Sequence, residues 1–500
     1  MKQFFFIFLI GAFASLSMAP TNFWPALLFG LAVLYVFTRD ADTIKQSFAL
    51  GYGFSLGYFG FSLSWIGNAL LIDGNPYWWA WPLAISGLPI LLSCFTACAC
   101  ALYKRVCRNT TNLENYIIFC TCLSVSEYLR GNIFTGFPWN LYGYTWADIS
   151  PIAQFASLTS IYGLTFITIL WSASIVQWIE TTRKKTIALL ILSSVIIVYG
   201  YGLYKIETYS PSSETNYTFR IIQPNIKQSE KWKPEKRAQN FLKLLSLSKY
   251  KENEQTKDSK AHYIIWPETA IAPDITNAPW AMDLIKEILH EYPTPVYLIT
   301  GALRSENGGY YNAILTFNKN AEIIHVYNKR HLVPFGEYMP FEEIIDIAPI
   351  VGFTGFKSGT TSSLFTTPEN ITISQLVCYE ILFPRYSREH QSNVIINVTN
   401  DAWYGKTAGP YQHLTQAKFR AIETQIPILR SANTGISAII SPLGHILKYR
   451  DLDEKGYILQ KIPISIAKLN QSNYIEELLI LILITLSIIV NKNNRIQKTT

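Results

Sequence analysis

The sequence predicts a multi-span α-helical membrane part of about eight helices joined to one α/β domain. Three observations predict it. Apolar runs of spanning length fill the first 204 residues and return once near the C-terminus. Lys and Arg cluster in alternate gaps between those runs. From 205 to 473 the pattern changes to short β-type runs alternating with amphipathic helical stretches, as in an α/β core.

The apolar runs lie at roughly 3–18, 23–38, 47–66, 78–103, 114–130, 153–178, 186–204 and 474–490. A helix needs about 20 apolar residues to cross a bilayer, so the short first two runs and the long fourth have soft boundaries. The first run, with Lys2 ahead and the small residues Ala14–Ala19 behind, also fits a cleavable signal peptide. Lys2, Arg39 to Lys45, Lys104 to Arg108, Arg183 to Lys185 and Lys492 to Lys498 fall on one side. The loops around Pro20, 73–76 and 131–150 carry almost no Lys or Arg. The positive-inside rule makes the basic side, with both termini, cytoplasmic. The expected organisation is therefore 1–204 as a transmembrane domain of seven spans, 205–473 as an extracytoplasmic domain, and 474–500 as a returning helix with a cytoplasmic tail. Glu127 and Arg130 are spaced to pair on one helix face. With Thr135–Trp139 and Tyr142–Trp146 behind them, they read either as a neutralised pair beside an interfacial aromatic belt or as part of a lipid-facing entry.

A net charge of +7, spread over short loops, offers no basic face for nucleic acid. Seven irregularly spaced cysteines suggest neither a metal cluster nor a disulfide framework. The seven histidines all follow residue 260, none within four residues of another, so no metal is expected. Strands are expected at 217–223, 262–266, 296–301, 311–317, 322–327, 371–377, 393–398 and 436–441, with helices near 231–250, 279–291 and 410–424.

Three of these segments end a strand in a reactive group. The first runs His262-Tyr-Ile-Ile-Trp-Pro and then presents Glu268, which taken alone is a loop carboxylate. The second, Tyr327-Asn-Lys-Arg-His-Leu-Val-Pro-Phe-Gly-Glu337, presents Lys329 and Glu337. The third delivers Cys378, the only thiol after residue 122, to a strand-to-helix turn followed by Tyr379 and Glu380. A buried core cysteine is the bland alternative. Helix N-terminal amides at such a turn favour a thiolate. Glu, Lys and Cys leaving strands of one sheet can converge at one end of it. A carboxylate then takes the thiol proton, and an ammonium steadies an oxyanion. A Cys–His scheme competes, but His331 and His390 have no obvious third partner.

These Trp-Pro-Glu, Asn-Lys-Arg-His-Leu-Val-Pro-Phe-Gly-Glu and Cys-Tyr-Glu segments resemble the carbon–nitrogen hydrolase (nitrilase) superfamily. The membrane part narrows the resemblance to its membrane-integrated branch, the apolipoprotein N-acyltransferases of Gram-negative bacteria. Glu127 to Trp139, Gln223 to Ile226, Lys231-Trp232, Asn400 to Gly405 and Arg430 to Gly435 resemble that branch as well. The resemblance implies an αββα sandwich and a triad of Glu268 (general base), Lys329 (oxyanion stabiliser) and Cys378 (nucleophile). It implies supporting roles for Glu337, Tyr379 and Glu380, and a mobile loop bearing Trp232 that contacts lipid or acceptor. The reaction implied is transfer of an acyl chain from a membrane phospholipid, through a Cys thioester, to the N-terminal amine of a diacylglyceryl-modified apolipoprotein. The implied place is the bacterial inner membrane, multi-pass, with the catalytic domain periplasmic. No cofactor, metal or nucleic acid is implied. A membrane-tethered amidase using water, and a catalytically silent transporter or scaffold, are the alternatives. The first leaves the spans unexplained and the second leaves the triad unexplained.

Overall fold

The computed structural model describes residues 1–107, 113–180, 185–210, 217–252, 256, 258–271, 278–306, 308–340, 355–389, 391–462 and 475–485. The first part is helical: α1 (Lys2–Ala14), α2 (Trp24–Asp40), α3 (Ile44–Ser62), α4 (Trp81–Val106), α5 (Leu113–Asn132), the short α6 (Ser150–Ala153), α7 (Ala156–Glu180) and α8 (Lys185–Thr208). Among the described residues three segments, Trp78–Val106, Ala156–Ile179 and Leu189–Thr208, are long and apolar enough to cross a membrane. Glycines let α1 and α3 touch backbone to backbone. A Cβ on Gly11 would lie 1.9 Å from the Phe54 carbonyl oxygen, and one on Gly57 2.0 Å from that of Phe8. Such small-residue contact is how helices associate where lipid removes the hydrophobic drive. The sixth apolar run is not one helix. Ser160 (φ 63, ψ 172) interrupts α7, and the freed N–H of Ile161 donates to Glu423 Oε1 at 2.7 Å.

The strands are β1 (Tyr217–Gln223), β2 (Ala261–Ile271), β3 (Val296–Glu306), β4 (Gly309–Phe317), β5 (Ile323–Asn328), β6 (Leu364–Thr366), β7 (Thr372–Val377), β8 (Val394–Thr399), β9 (Ile428–Ala432), β10 (Ser437–Ile440), β11 (Ile446–Arg450) and β12 (Gly456–Lys461). Helices α9 (Pro234–Ser248), α10 (Pro279–His290), α11 (Pro384–Arg388) and α12 (Ala408–Thr424) accompany them, and a last helix, α13, covers 475–485. Helix covers most of each of the first seven apolar runs, residues 475–485 of the eighth are helical with its other residues outside the described ones, and α8 continues past residue 204 to Thr208.

Two six-stranded sheets form, ordered β12-β1-β2-β3-β4-β5 and β11-β10-β9-β8-β7-β6. Phe219, Ile221, Ile265 and Ile299 of the first pack against Ile373, Val377, Ile396 and Leu429 of the second. Outside the first sheet, Leu244 of α9 and Ile285 of α10 cover Ile222, Ile264 and Leu298. Outside the second, Leu376 and Ile428 meet Leu414, Phe419 and Ile422 of α12. That cluster runs on without a break into Tyr58, Trp139 and Trp146 of the helical part. The αββα layers are present, with the membrane part packed on the outer helix. All eight expected strands form; β6, β9, β11 and β12 were not anticipated. The fully buried β9 carries Arg430 at its centre, which interrupts the apolar alternation that marks a strand.

Candidate active site

Glu268 sits where the β2–β3 ladder breaks. Pairing stops at Trp266–Thr300 and resumes at Ile271–Ala302, with Pro267 unable to donate a ladder hydrogen bond and Thr269 at φ 46. The bulge turns the Glu268 side chain out of the sheet. Gly301 makes room for it, since a Cβ there would lie 2.5 Å from Glu268 Cα. Lys329 follows the last residue of β5, its N–H donating to the Asn312 carbonyl at 2.8 Å. Cys378 follows β7 and opens the 3-10 turn Cys378–Leu382 with φ 49, the left-handed region. The three groups meet at the C-terminal strand ends, but from two sheets and not one. Glu268 and Lys329 leave the first sheet and Cys378 the second, because a sandwich places the ends of both sheets side by side.

Lys329 Nζ donates to Glu337 Oε1 at 2.9 Å and lies 3.9 Å from Glu268 Oε1. Asn312 Nδ2 ties the two carboxylates together, donating to Glu268 Oε1 at 2.7 Å and Glu337 Oε1 at 2.8 Å. Burial alone pulls the Lys329 ammonium down, but Glu337, Glu268 and Cys378 outweigh it and hold its pKa above the ordinary lysine value. Burial, with Glu268 adding and Lys329 opposing, pushes the Cys378 thiol well up. Burial thus works against the thiolate expected for Cys378 at a strand-to-helix turn. The turn is only 3-10, and desolvation dominates.

Glu380 locks that turn. Its Oε2 accepts from Val377 N at 2.8 Å, and its Oε1 accepts from Tyr327 Oη and Arg330 N, each at 2.8 Å. One carboxylate thus braces both the Cys378 and Lys329 segments. The Tyr379 hydroxyl donates to the Gly136 carbonyl at 3.0 Å, a contact between the residue after the nucleophile and the helical part. Trp232 is half-buried, its ring centroid 5.5 Å from Lys231 Nζ. Glu268, Lys329, Cys378, Glu337 and Glu380 are thus brought together; Tyr379 and Trp232 flank them.

Two further features are built partly from residues to which the sequence assigned resemblance but no role: Lys231, Asp401 and Arg430. Lys231 is buried and donates to the Glu268 carbonyl at 3.0 Å and Thr269 Oγ1 at 2.5 Å. Burial lowers it to about 8, against the pull of Glu268 and Cys378. The second feature is a network behind the nucleophile. Thr399 Oγ1 lies 3.3 Å from Cys378 Sγ and 3.0 Å from Asp401 Oδ1. His413 Nδ1 lies 2.9 Å from Asp401 Oδ1, and its Nε2 3.3 Å from the Cys378 carbonyl. Arg430 Nη2 donates to Asp401 Oδ2 at 2.7 Å. Burial would raise the Asp401 carboxyl, but Arg430 and His413 outweigh it and hold it well below the usual range. A Cys–His scheme thus has a histidine with a carboxylate partner, but His413 addresses the Cys378 backbone oxygen and not its sulfur. His331 stacks on Phe383 at 4.1 Å and is lowered by burial to about 3; His390 lies outside the described residues. Among the described residues no group of His, Cys, Asp and Glu could hold a metal ion.

Two family descriptions match the chain: "Apolipoprotein N-acyltransferase N-terminal domain" over residues 10–174 and "Carbon-nitrogen hydrolase" over 218–473. An apolipoprotein N-acyltransferase from Rickettsia bellii is 36% identical over 467 residues, spanning 91% of this chain and 90% of that one. Another from Agrobacterium fabrum is 36% identical over 472 residues, 90% of this chain and 87% of the relative. A solved CN-hydrolase superfamily protein from Xanthomonas campestris covers 50% of this chain and 90% of its own, at 18% identity and TM-score 0.37.

Proposed function

This chain belongs to the apolipoprotein N-acyltransferase family, and from that premise we propose a two-step acyl transfer at Cys378. The donor is a membrane phospholipid. Glu268 accepts the thiol proton as sulfur attacks the ester carbonyl, and Lys329 stabilises the oxyanion. The C–O bond breaks, Glu268 returns the proton to the leaving alkoxide, and a lysophospholipid departs from a thioester. The α-amine of an S-diacylglyceryl-cysteine at a lipoprotein N-terminus then attacks. Glu268 takes its proton, the C–S bond breaks, and the proton goes back to Cys378 sulfur. The products are an amide and the starting enzyme. A thiol that burial pushes up suits this scheme, because it needs a base such as Glu268 to receive its proton as sulfur attacks.

Glu337 and Asn312 hold Lys329 and Glu268 in register, Glu380 and Tyr379 hold the nucleophile turn, and Trp232 guards the approach. Eight crossings put both termini in the cytoplasm and the catalytic domain on the periplasmic face of the inner membrane. A site that keeps water from a thioester while admitting two lipids from the side has a use for such helices. The observation that carries the reading is the meeting of Glu268, Lys329 and Cys378 in a domain whose α12 shares its core with the helical part, the residue after Cys378 bonding to Gly136.

Intact mass spectrometry after incubation with phospholipid in detergent tests it. An acyl mass on Cys378, discharged faster by a diacylglyceryl-cysteine peptide than by water, is expected, and Cys378→Ala should take up none. Discharge by water alone would make the protein a hydrolase. Lys329→Arg should also fail to acylate, since a planar guanidinium does not replace a compact ammonium; wild-type rates there would remove Lys329 from the mechanism.

A further inference from the structure

A cavity of about 380 Å³ lies in the seam between the helical part and the α/β domain, lined by Asp148, Ser150, Lys418, Phe419, Leu443 and His445 among others. It is distinct from the acyl-transfer centre. Lys418 is five residues beyond His413 on α12, so it sits about 7.5 Å further along the axis and on another face of the helix. Its contents are cationic and polar on one side and anionic on the other. Lys418 Nζ, with its side chain only 18% exposed, donates one hydrogen bond to the Ala147 carbonyl at 2.9 Å and lies 3.8 Å from Asp148 Oδ1. An ammonium has three donors, so two remain for a guest. His445 Nε2 lies 2.9 Å from Ser150 Oγ, which adds an imidazole and a hydroxyl to the same wall. Asp148 stands at the mouth, 60% exposed, with Asn22 Nδ2 donating to its Oδ2 at 2.6 Å.

The rim is apolar. Ile446 lines the cavity, and on the same strand Leu447 and Tyr449 are 51% and 62% exposed. Beside it α8 rises, pressed so close that a Cβ on Gly202 would lie 1.8 Å from the Pro151 carbonyl oxygen. That helix is apolar enough to cross a membrane and carries Ile196 and Ile197 at 74% and 71% exposure. A polar socket at the end of an exposed apolar helix matches a molecule with a charged head and hydrocarbon tails.

We propose that this seam cavity binds a phosphate ester bearing a primary amine, the head group of a zwitterionic phospholipid, with phosphate on Lys418, His445 and Ser150 and amine on Asp148. The lipid is bound and not consumed. It fills the joint between bundle and catalytic domain, its tails lying along α8. The phosphate joins an ion pair that is already there: Lys418 Nζ lies 3.8 Å from Asp148 Oδ1, long enough to leave a second anion room beside the ammonium. The amine adds to the partners Asp148 already has, Lys418 and the Asn22 amide.

Native mass spectrometry of the Cys378→Ala protein in detergent tests the site without any turnover, so its outcome is independent of the acyl-transfer mechanism. Phosphatidylethanolamine, phosphatidylglycerol and diacylglycerol are titrated against this parent and against the same protein carrying Lys418→Met and His445→Gln. The parent should retain one more phosphatidylethanolamine than the variant, and Lys418→Arg alone should keep it. Asp148→Asn, an exposed change that spares the fold, should cut the preference for phosphatidylethanolamine over phosphatidylglycerol about two- to fivefold. Equal lipid counts in parent and variant, or an unchanged preference in Asp148→Asn, would overturn the proposal. Displacement of the lipid by millimolar phosphoethanolamine or inorganic phosphate would overturn the lipid as source.

Discussion

Cys378 holds a left-handed backbone conformation (φ 49) that costs a side-chain-bearing residue of the order of 1–3 kcal/mol and persists only where its surroundings impose it. Two buried groups impose it here: Glu380, through the Val377 N–H, and His413, whose Nε2 addresses the Cys378 carbonyl. In the proposed mechanism His413 would position Cys378 through its carbonyl without touching the reacting bond. Its replacement by Ala should slow acyl-enzyme formation about 100-fold, the scale of a misplaced attacking atom, with little change in KM for the donor. His413→Gln, which keeps an N–H for the carbonyl, should recover part of the rate in stopped-flow or mass-resolved acylation. If His413→Ala lowers only the melting temperature and leaves the acylation rate intact, the role is purely structural. Lys231 makes a second prediction. Burial lowers it from 10.5 to about 8, so the folded state binds its proton less tightly than the unfolded chain. Stability is therefore reduced by this group below pH 8 and recovers as pH rises toward 10.5, by at most about 3 kcal/mol. The melting temperature of wild type relative to Lys231→Met should climb through that window, and a pH-independent difference would mean the lysine is not strained by burial.

At the level of elements, the carboxylate of Glu268 owes its aim to the β2 bulge and to a glycine on the neighbouring strand. Gly301→Ala places a methyl 2.5 Å from Glu268 Cα, against backbone that has no free end to swing away. The bulge must move, so acylation is expected to fall about 10- to 100-fold with the sheet still folded by circular dichroism. Unchanged acylation would show that the bulge tolerates repacking. Much of this element-level picture was legible in the sequence. The Tyr217–Gln223 run coincides with β1, and Glu268, Lys329 and Cys378 each stand just where an alternating run stops. What was not legible depends on contacts between distant elements. Arg430 in β9 reads as an interruption until Asp401 and Asn397 come to meet it. His413 is one polar residue on a helix until Asp401 and the Cys378 carbonyl flank it. The break at Ser160 is satisfied by Glu423 from a different part of the chain. The assignment of the triad to a single sheet failed for a related reason: strand patterns say where side chains leave, but not which of two stacked sheets carries each strand.

Over the whole molecule, the boundary between the helical part and the α/β part is a chain boundary and not a packing boundary. One apolar cluster runs from Leu31, Tyr58 and Trp139 to Leu414, Phe419 and Ile428, and Gln412 is pinned at its centre. Its Oε1 accepts from Trp65 Nε1 at 3.0 Å and Trp139 Nε1 at 2.8 Å, and its Nε2 donates to the carbonyls of Ala19 at 3.2 Å and Ser62 at 3.1 Å. Gln412→Leu removes these four bonds and a fifth, from Asn140 Nδ2 to Oε1 at 3.3 Å, leaving two buried indole N–H groups, an amide N–H and two carbonyls short of a partner. Each such orphan costs roughly 1–3 kcal/mol, so the full-length protein in detergent should melt at a clearly lower temperature, and the Tyr379–Gly136 link between the parts should loosen with it. A polypeptide cut to residues 217–462 suffers more. It exposes the face of α12 that normally meets Trp65, Trp139 and Tyr144, a contiguous apolar patch of the kind that drives self-association. That fragment should sediment as aggregates without detergent and bind a hydrophobic dye strongly. A monomeric fragment with a sharp melt near that of the full chain would mean that the catalytic fold stands alone, and that the shared core is only a contact.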